Sequence, residues 1–322
     1  MRTLGRTLLL IVAIGAAPAV GVAQWFKYPT DGIPRTRDGK PNLAAPAPRM
    51  PDGKPDLSGI WHSGNRIPCT NEINRFIDCG SEIGGSKLTL DLGLDSPGGA
   101  LPYQPWAAAV KKQRAADDSR DDPHVRCLPD SVPRMWTLPH LTKAVHTPKL
   151  LVLLYEVNAM YRQIFLDARP FPQDMNPAWN GYSVGHWEGD TLLVLTRGFR
   201  DNLWIDMTGS PMSDAATMTE RISRPNFGTL QIALTIEDPK TYTKPFTISL
   251  PLTSPSGYVL LPYECHEGNY MLRNSLSAER EEDKIIAADA AKGIVRRRKS
   301  IQQNLDAGAR PIPGRTNPND EE

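Results

Sequence analysis

From residue 150 onward, apolar and polar side chains alternate with the two-residue period of strands that bury one face. Segments 150–157 and 161–167 flank Asn158-Ala159-Met160, and 182–187 and 191–197 flank Glu188-Gly189-Asp190. Segments 217–223 and 229–236 flank a Pro-Asn-Phe-Gly connection, which makes a third hairpin. Phe246, Ile248, Leu250 and Leu252 alternate with polar or small residues, and Val259, Leu261 and Tyr263 do the same before Cys265. The pattern predicts eight strands with short connections, and 56–61 could add a ninth. A meander of that length leaves two bare edges unless it closes. The expected fold is therefore mainly β, an antiparallel up-and-down barrel.

The rest of the chain is patterned differently. Residues 24–56 form a Pro-rich arm in which Asp38-Gly39-Lys40-Pro41-Asn42-Leu43 recurs as Asp52-Gly53-Lys54-Pro55-Asp56-Leu57. Each copy reads as a turn, and the arm is expected to lie extended across a neighbouring surface. Residues 62–149 read as an insertion into a barrel domain of 57–276, with one short helix opening at Pro105-Trp106 and running to about Asp118. Ser277 is expected to cap a C-terminal helix over 277–305, with Glu279, Glu281 and Glu282 near its start and 296–299 basic near its end. Residues 306–322 read as a disordered tail. Gly59-Ile60-Trp61 resembles the G-x-W signature of the lipocalin barrel, although some 90 residues separate it from the next strand.

The first 23 residues read as an export signal. Arg2 and Arg6 precede an uncharged apolar run, and Gly21 and Ala23 supply the small residues needed for cleavage between Ala23 and Gln24. The run is short for a membrane span of ~20 residues and is interrupted by Pro18. A periplasmic or secreted protein with no transmembrane segment after cleavage is expected. Export gives the four cysteines a bearing: they predict two disulfides, Cys69 with Cys79 and Cys127 with Cys265, one of three possible pairings. With neither C-x-x-C nor H-x-x-x-H present, no metal and no cofactor are expected. The formal net charge of +1 removes the attraction to nucleic acid. Thirty prolines argue against a mostly helical protein.

Candidate chemistry is sparse. Gly181-Tyr182-Ser183-Val184-Gly185 matches the serine-hydrolase elbow, but a hairpin follows it where that motif requires a helix. Glu188 and Asp190 bracket a turn glycine and read as solvated turn residues. Trp179 and Trp187 could line an aromatic or sugar site or fill the barrel. Strand parity is sharper: Glu220 lies between Met218 and Ile222 on the apolar face, and Arg162 shares its parity with Ile164 and Leu166. An unpaired charge inside a barrel is costly, so these two must pair or face a ligand. The candidate ligand-binding residues are Arg162, Glu220, Trp179, Tyr182 and His186, and the candidate catalytic residues are Glu220, His186 and Tyr155.

Several stretches together resemble a widespread, uncharacterised family of exported bacterial proteins. They include D-L-S-G-I-W (56–61), D-D-P-H-V-R-C-L-P (121–129), G-Y-S-V-G-H-W-E-G-D-T-L (181–192) and D-P-K-T-Y-T-K-P (238–245). The resemblance implies export and a β-rich fold, and supplies no reaction. The function expected is binding of a small, partly apolar molecule. The alternatives are a periplasmic enzyme with an acid/base site inside the barrel, and an envelope interaction module.

Overall fold

A computed structural model describes residues 32–63, 87–116, 119, 121–255, 257–267 and 270–295. The chain forms β1 (Gly59–Ser63), the short helix α1 (Lys87–Leu90), α2 (Pro105–Ala116), the single-turn α3 (Val132–Met135), β2 (Thr142–Thr147) and β3 (Leu150–Tyr155). It continues through β4 (Tyr161–Phe165), β5 (Tyr182–Glu188), β6 (Thr191–Arg197), β7 (Leu203–Trp204) and β8 (Pro211–Met212). β9 (Thr217–Asn226), β10 (Thr229–Glu237), β11 (Phe246–Thr253) and α4 (Tyr270–Ala290) complete it.

Nine strands close into one lipocalin-like barrel in the order β1-β11-β10-β9-β6-β5-β4-β3-β2, and β2 pairs with β1. A ring with an odd number of strands cannot alternate direction all the way round. One neighbouring pair has to run parallel, and it is β4 with β5, where Ile164 faces Ser183. The other eight pairs are antiparallel. The barrel is therefore mixed rather than wholly antiparallel. β7 and β8 form a separate two-stranded hairpin between β6 and β9.

Two strands differ from the expected set. Residues 259–263 add no barrel strand: Val259 and Leu261 are exposed, and Tyr263 makes only an isolated bridge to Val157. β2 takes the ninth place from within the expected insertion. Its parity is inverted, burying Thr142, Ala144 and His146 while Val145 is 40% exposed, so no apolar alternation marks it. The final helix begins at Tyr270, ahead of the expected Ser277. The export signal, Cys69, Cys79, 296–299 and the tail lie outside the described residues.

The inward faces behave as parity demands. Leu230, Ile232, Leu234 and Ile236 of β10 are buried opposite Ile248, Leu250 and Leu252 of β11. Each such side chain contributes about 1.5–3 kcal/mol by leaving water. Val132, Met135, Trp136 and Leu138, on and just after α3, join the same core. A disulfide ties Cys127, ahead of α3, to Cys265 beyond β11, across 138 residues of sequence. A loop of that length makes the bond worth roughly 2–5 kcal/mol.

Residues 32–56 of the arm are docked rather than extended, as two compact turns. Phe227 and Gly228, in the β9–β10 turn, donate their N–H groups to the carbonyls of Ala45 and Leu43, both at 2.8 Å. Any Cβ at position 228 would come within 2.5 Å of the Leu43 Cβ, so the close approach requires glycine. The second turn of the arm reaches the β5–β6 turn through Arg49 and Asp190.

Candidate functional site

Glu220 and Arg162 meet inside the barrel, both buried. Arg162 Nη1 donates to Glu220 Oε1 at 3.0 Å, and its Nη2 donates to Oε2. Further bonds tie the pair to its neighbours. Arg162 Nε donates to Ser183 Oγ at 3.1 Å and Nη2 to Thr196 Oγ1 at 2.9 Å. Trp136 Nε1 donates to Glu220 Oε1 at 2.8 Å, and Ser183 and Thr196 hydroxyls bond each other at 3.0 Å. Burial opposes the Arg162 charge, but the Glu220 carboxylate outweighs it and holds the guanidinium above its ordinary pKa. The arrangement is a brace: four strands and the α3 segment converge on one ion pair.

Tyr155 belongs to the same cluster. Its ring packs edge-on against Trp136 at 6.4 Å, and burial pushes its phenol above the ordinary range. Its hydroxyl makes no hydrogen bond of good geometry. The other candidates are elsewhere. Ser183 and Gly185 occupy the inward parity of β5, which puts His186 on the outer face, 66% exposed and 3.6 Å from Glu188. Tyr182 is also on the outer face, stacked on Phe165 at 5.2 Å and tilted against Phe171 at 6.0 Å. Trp179 lies beneath the Arg200 guanidinium at 4.7 Å and packs, partly buried, against the core. His186 and Tyr182, on the outer face of β5, thus do not share a site with the inward Glu220. Ser183 is buried in a strand, so no elbow forms.

A second cluster, which parity reasoning did not find, lies outside the barrel where α2 meets the 121–126 loop and β7. These elements enclose a cleft of about 330 Å3 lined by Val110, Gln113, Arg114, Asp121, Arg126, Asn202 and Trp204. Arg114 lies over the Trp204 ring at 4.4 Å and donates to the Gly209 carbonyl at 2.9 Å and to Asn202 Oδ1. Burial lowers its pKa. Arg126 pairs with Asp121 at the exposed side.

Behind this cleft the loop is pinned by a buried arginine. Arg134 grips Asp122 with two bonds of 2.6 and 2.7 Å, and its Nε lies 3.2 Å from Asp130 Oδ1. Asp122 Oδ1 also accepts the His124 N–H at 2.9 Å, and Asp130 Oδ2 lies 2.8 Å from His124 Nδ1. Burial disfavours the Arg134 charge, and the two carboxylates overcome it and raise its pKa. Cys127 fastens the end of the loop. The cleft wall is thereby preorganised.

Beneath β7 and β8, Asp206 is fully buried and accepts from Ser210 N (3.0 Å), Ser210 Oγ (2.5 Å), Thr208 Oγ1 (3.1 Å) and Leu92 N (3.1 Å). Tyr103 Oη is 2.7 Å from Ser210 Oγ, and burial pushes its phenol up to about 12. Burial likewise raises the Asp206 pKa, in spite of the four donors. A carboxyl whose folded pKa is raised binds more protons folded than unfolded. Its contribution is fully present below the unfolded value of about 3.9 and is lost as pH rises through the folded pKa. Thermal melts from pH 4 to 7 should therefore show Asp206→Asn gaining on the wild type as pH rises. A pH-independent difference in Tm would contradict the assignment.

Among the described residues no group of three or more His, Cys, Asp or Glu side chains is placed to hold a metal ion, and no helix is long and apolar enough to cross a membrane. No family model, no curated protein and no solved structure matches this chain.

Proposed function

We propose that this protein is an exported binding protein in which the barrel is the rigid frame and the outer cleft holds a small, partly apolar molecule bearing an anionic group. The cleft carries this proposal. Its volume of about 330 Å3 falls at the small end of ordinary ligand sites. Val110 and Trp204 offer apolar walls, Gln113 and Asn202 offer amides, and two guanidiniums against one carboxylate leave the lining cationic. The Arg162–Glu220 pair, bonded on both sides to side chains of the barrel and to Trp136, favours bracing over ligand contact inside the barrel. Export is supported by the charged, apolar and small-residue pattern of the first 23 residues.

The test is native mass spectrometry of the protein purified from the cells that make it, beside a Val110→Trp variant whose indole fills the cleft. The expected result is a small-molecule adduct on the wild type that Val110→Trp abolishes. An adduct retained by Val110→Trp would place the ligand elsewhere, and no adduct on the wild type would contradict the proposal.

A further inference from the structure

We infer that the first hairpin of the arm, residues 34–42, is a docking surface for a tight turn of another protein in which glycine precedes an acidic residue. The arm contains one hairpin twice, at an offset of 14 residues, and the backbone bonds that close the two turns correspond. Thr36 N bonds the Lys40 carbonyl at 2.9 Å where Met50 N bonds that of Lys54 at 2.8 Å. Asn42 N bonds the Pro34 carbonyl at 2.7 Å where Asp56 N bonds that of Pro48 at 2.9 Å. Gly39 and Gly53 have φ of 80° and 82°, and Arg35 and Arg49 each donate Nη1 to that glycine's carbonyl at 2.7 Å.

The second copy is already occupied, and it shows what the hairpin grips. Arg49 clamps Asp190 through Nη1 at 3.0 Å and Nη2 at 2.7 Å, while Lys54 Nζ donates to the Gly189 carbonyl at 3.1 Å. Its target is the Glu188-Gly189-Asp190 turn between β5 and β6. The first copy holds Arg35 and Lys40 in the equivalent places, both exposed. Among the described residues, their side chains form hydrogen bonds and ion pairs only within their own turn, with Gly39 and Asp38.

Charge separates the two copies further. Residues 34–43 carry Arg35, Arg37 and Lys40 against Asp38, a net +2, whereas 48–57 carry Arg49 and Lys54 against Asp52 and Asp56, a net of zero. Asp56 faces the barrel, accepting from Ser58 N at 2.8 Å beside His146, and Asn42 stands in its place in the first copy. The first hairpin thus keeps the clamp and is more cationic. A second copy of this chain fits less well as the occupant, because its own Arg49 holds its Asp190.

The experiment uses the full mature chain and, as probe, a cyclised peptide carrying residues 185–194 with the Glu-Gly-Asp turn, titrated by NMR at low salt. Saturable binding is expected, weakened about fivefold by Arg35→Ala or by Lys40→Ala, as for a well-formed exposed ion pair. The same loss is expected when the peptide's aspartate becomes asparagine. Salt at 0.5 M should weaken it too. No binding by the folded wild type would overturn the inference. So would binding that survives Arg35→Ala but is lost with Arg49→Ala, since the peptide would then sit in the occupied clamp. Dimerisation of the wild type that Asp190→Asn abolishes would also overturn it, by making a second copy the occupant.

Discussion

Replacing Arg162 with leucine should destabilise the folded protein by about 3–5 kcal/mol, the cost of leaving a buried carboxylate without its cation. Glu220 is fully buried, and Trp136 would remain as its one strong donor. Replacing Glu220 alone with leucine should cost a similar amount, because Arg162 would keep only the Ser183 and Thr196 hydroxyls. The double variant separates bracing from ordinary packing. With both charges gone, the desolvation penalty goes too, and the loss should fall short of the sum of the singles by about 2 kcal/mol or more. Urea denaturation of the four proteins measures this. Additive losses would mean that the pair is not a coupled unit.

Arg134→Leu should cost as much, about 3–5 kcal/mol, and for a second reason should also impair binding. Arg134 holds Asp122 and Asp130, and those carboxylates hold His124 and the loop that presents Asp121 and Arg126 to the cleft. Arg134→Lys keeps the charge but not the planar fork, so it should recover only part of the stability. Denaturation beside native mass spectrometry gives both readouts. Full stability and unchanged ligand occupancy in Arg134→Leu would show that the network supports nothing.

What was legible in the sequence was whatever depends on one strand's own parity. Met218, Glu220 and Ile222 set one face of β9, and the buried carboxylate followed from that alone. β2 stayed hidden because it buries Thr142 and His146 and exposes Val145, the reverse of the usual sorting. The parallel pair did leave a trace: residues 166–181 are too many for the hairpin that an antiparallel neighbour would use. His186 and Tyr182 were displaced for a plain reason. With Ser183 and Gly185 facing inward, period two sends their neighbours out. The cleft could not be read from any one segment, because its lining comes from α2, the 121–126 loop and β7, brought together only by the fold. The nearest signal was D-D-P-H-V-R-C, a charge-rich loop closed by a bonded cysteine.

In the proposed division of labour, the buried pair braces the barrel while the outer cleft binds. Calorimetric titration of the molecule recovered with the wild type, into Glu220→Gln and into Val110→Trp, tests it most directly, with circular dichroism confirming that each variant is folded. Glu220→Gln should bind with an affinity within about threefold of the wild type, and Val110→Trp more than tenfold more weakly, a loss of over about 1.4 kcal/mol. The reverse pattern, binding lost in a folded Glu220→Gln and kept in Val110→Trp, would contradict it by putting the ligand inside the barrel.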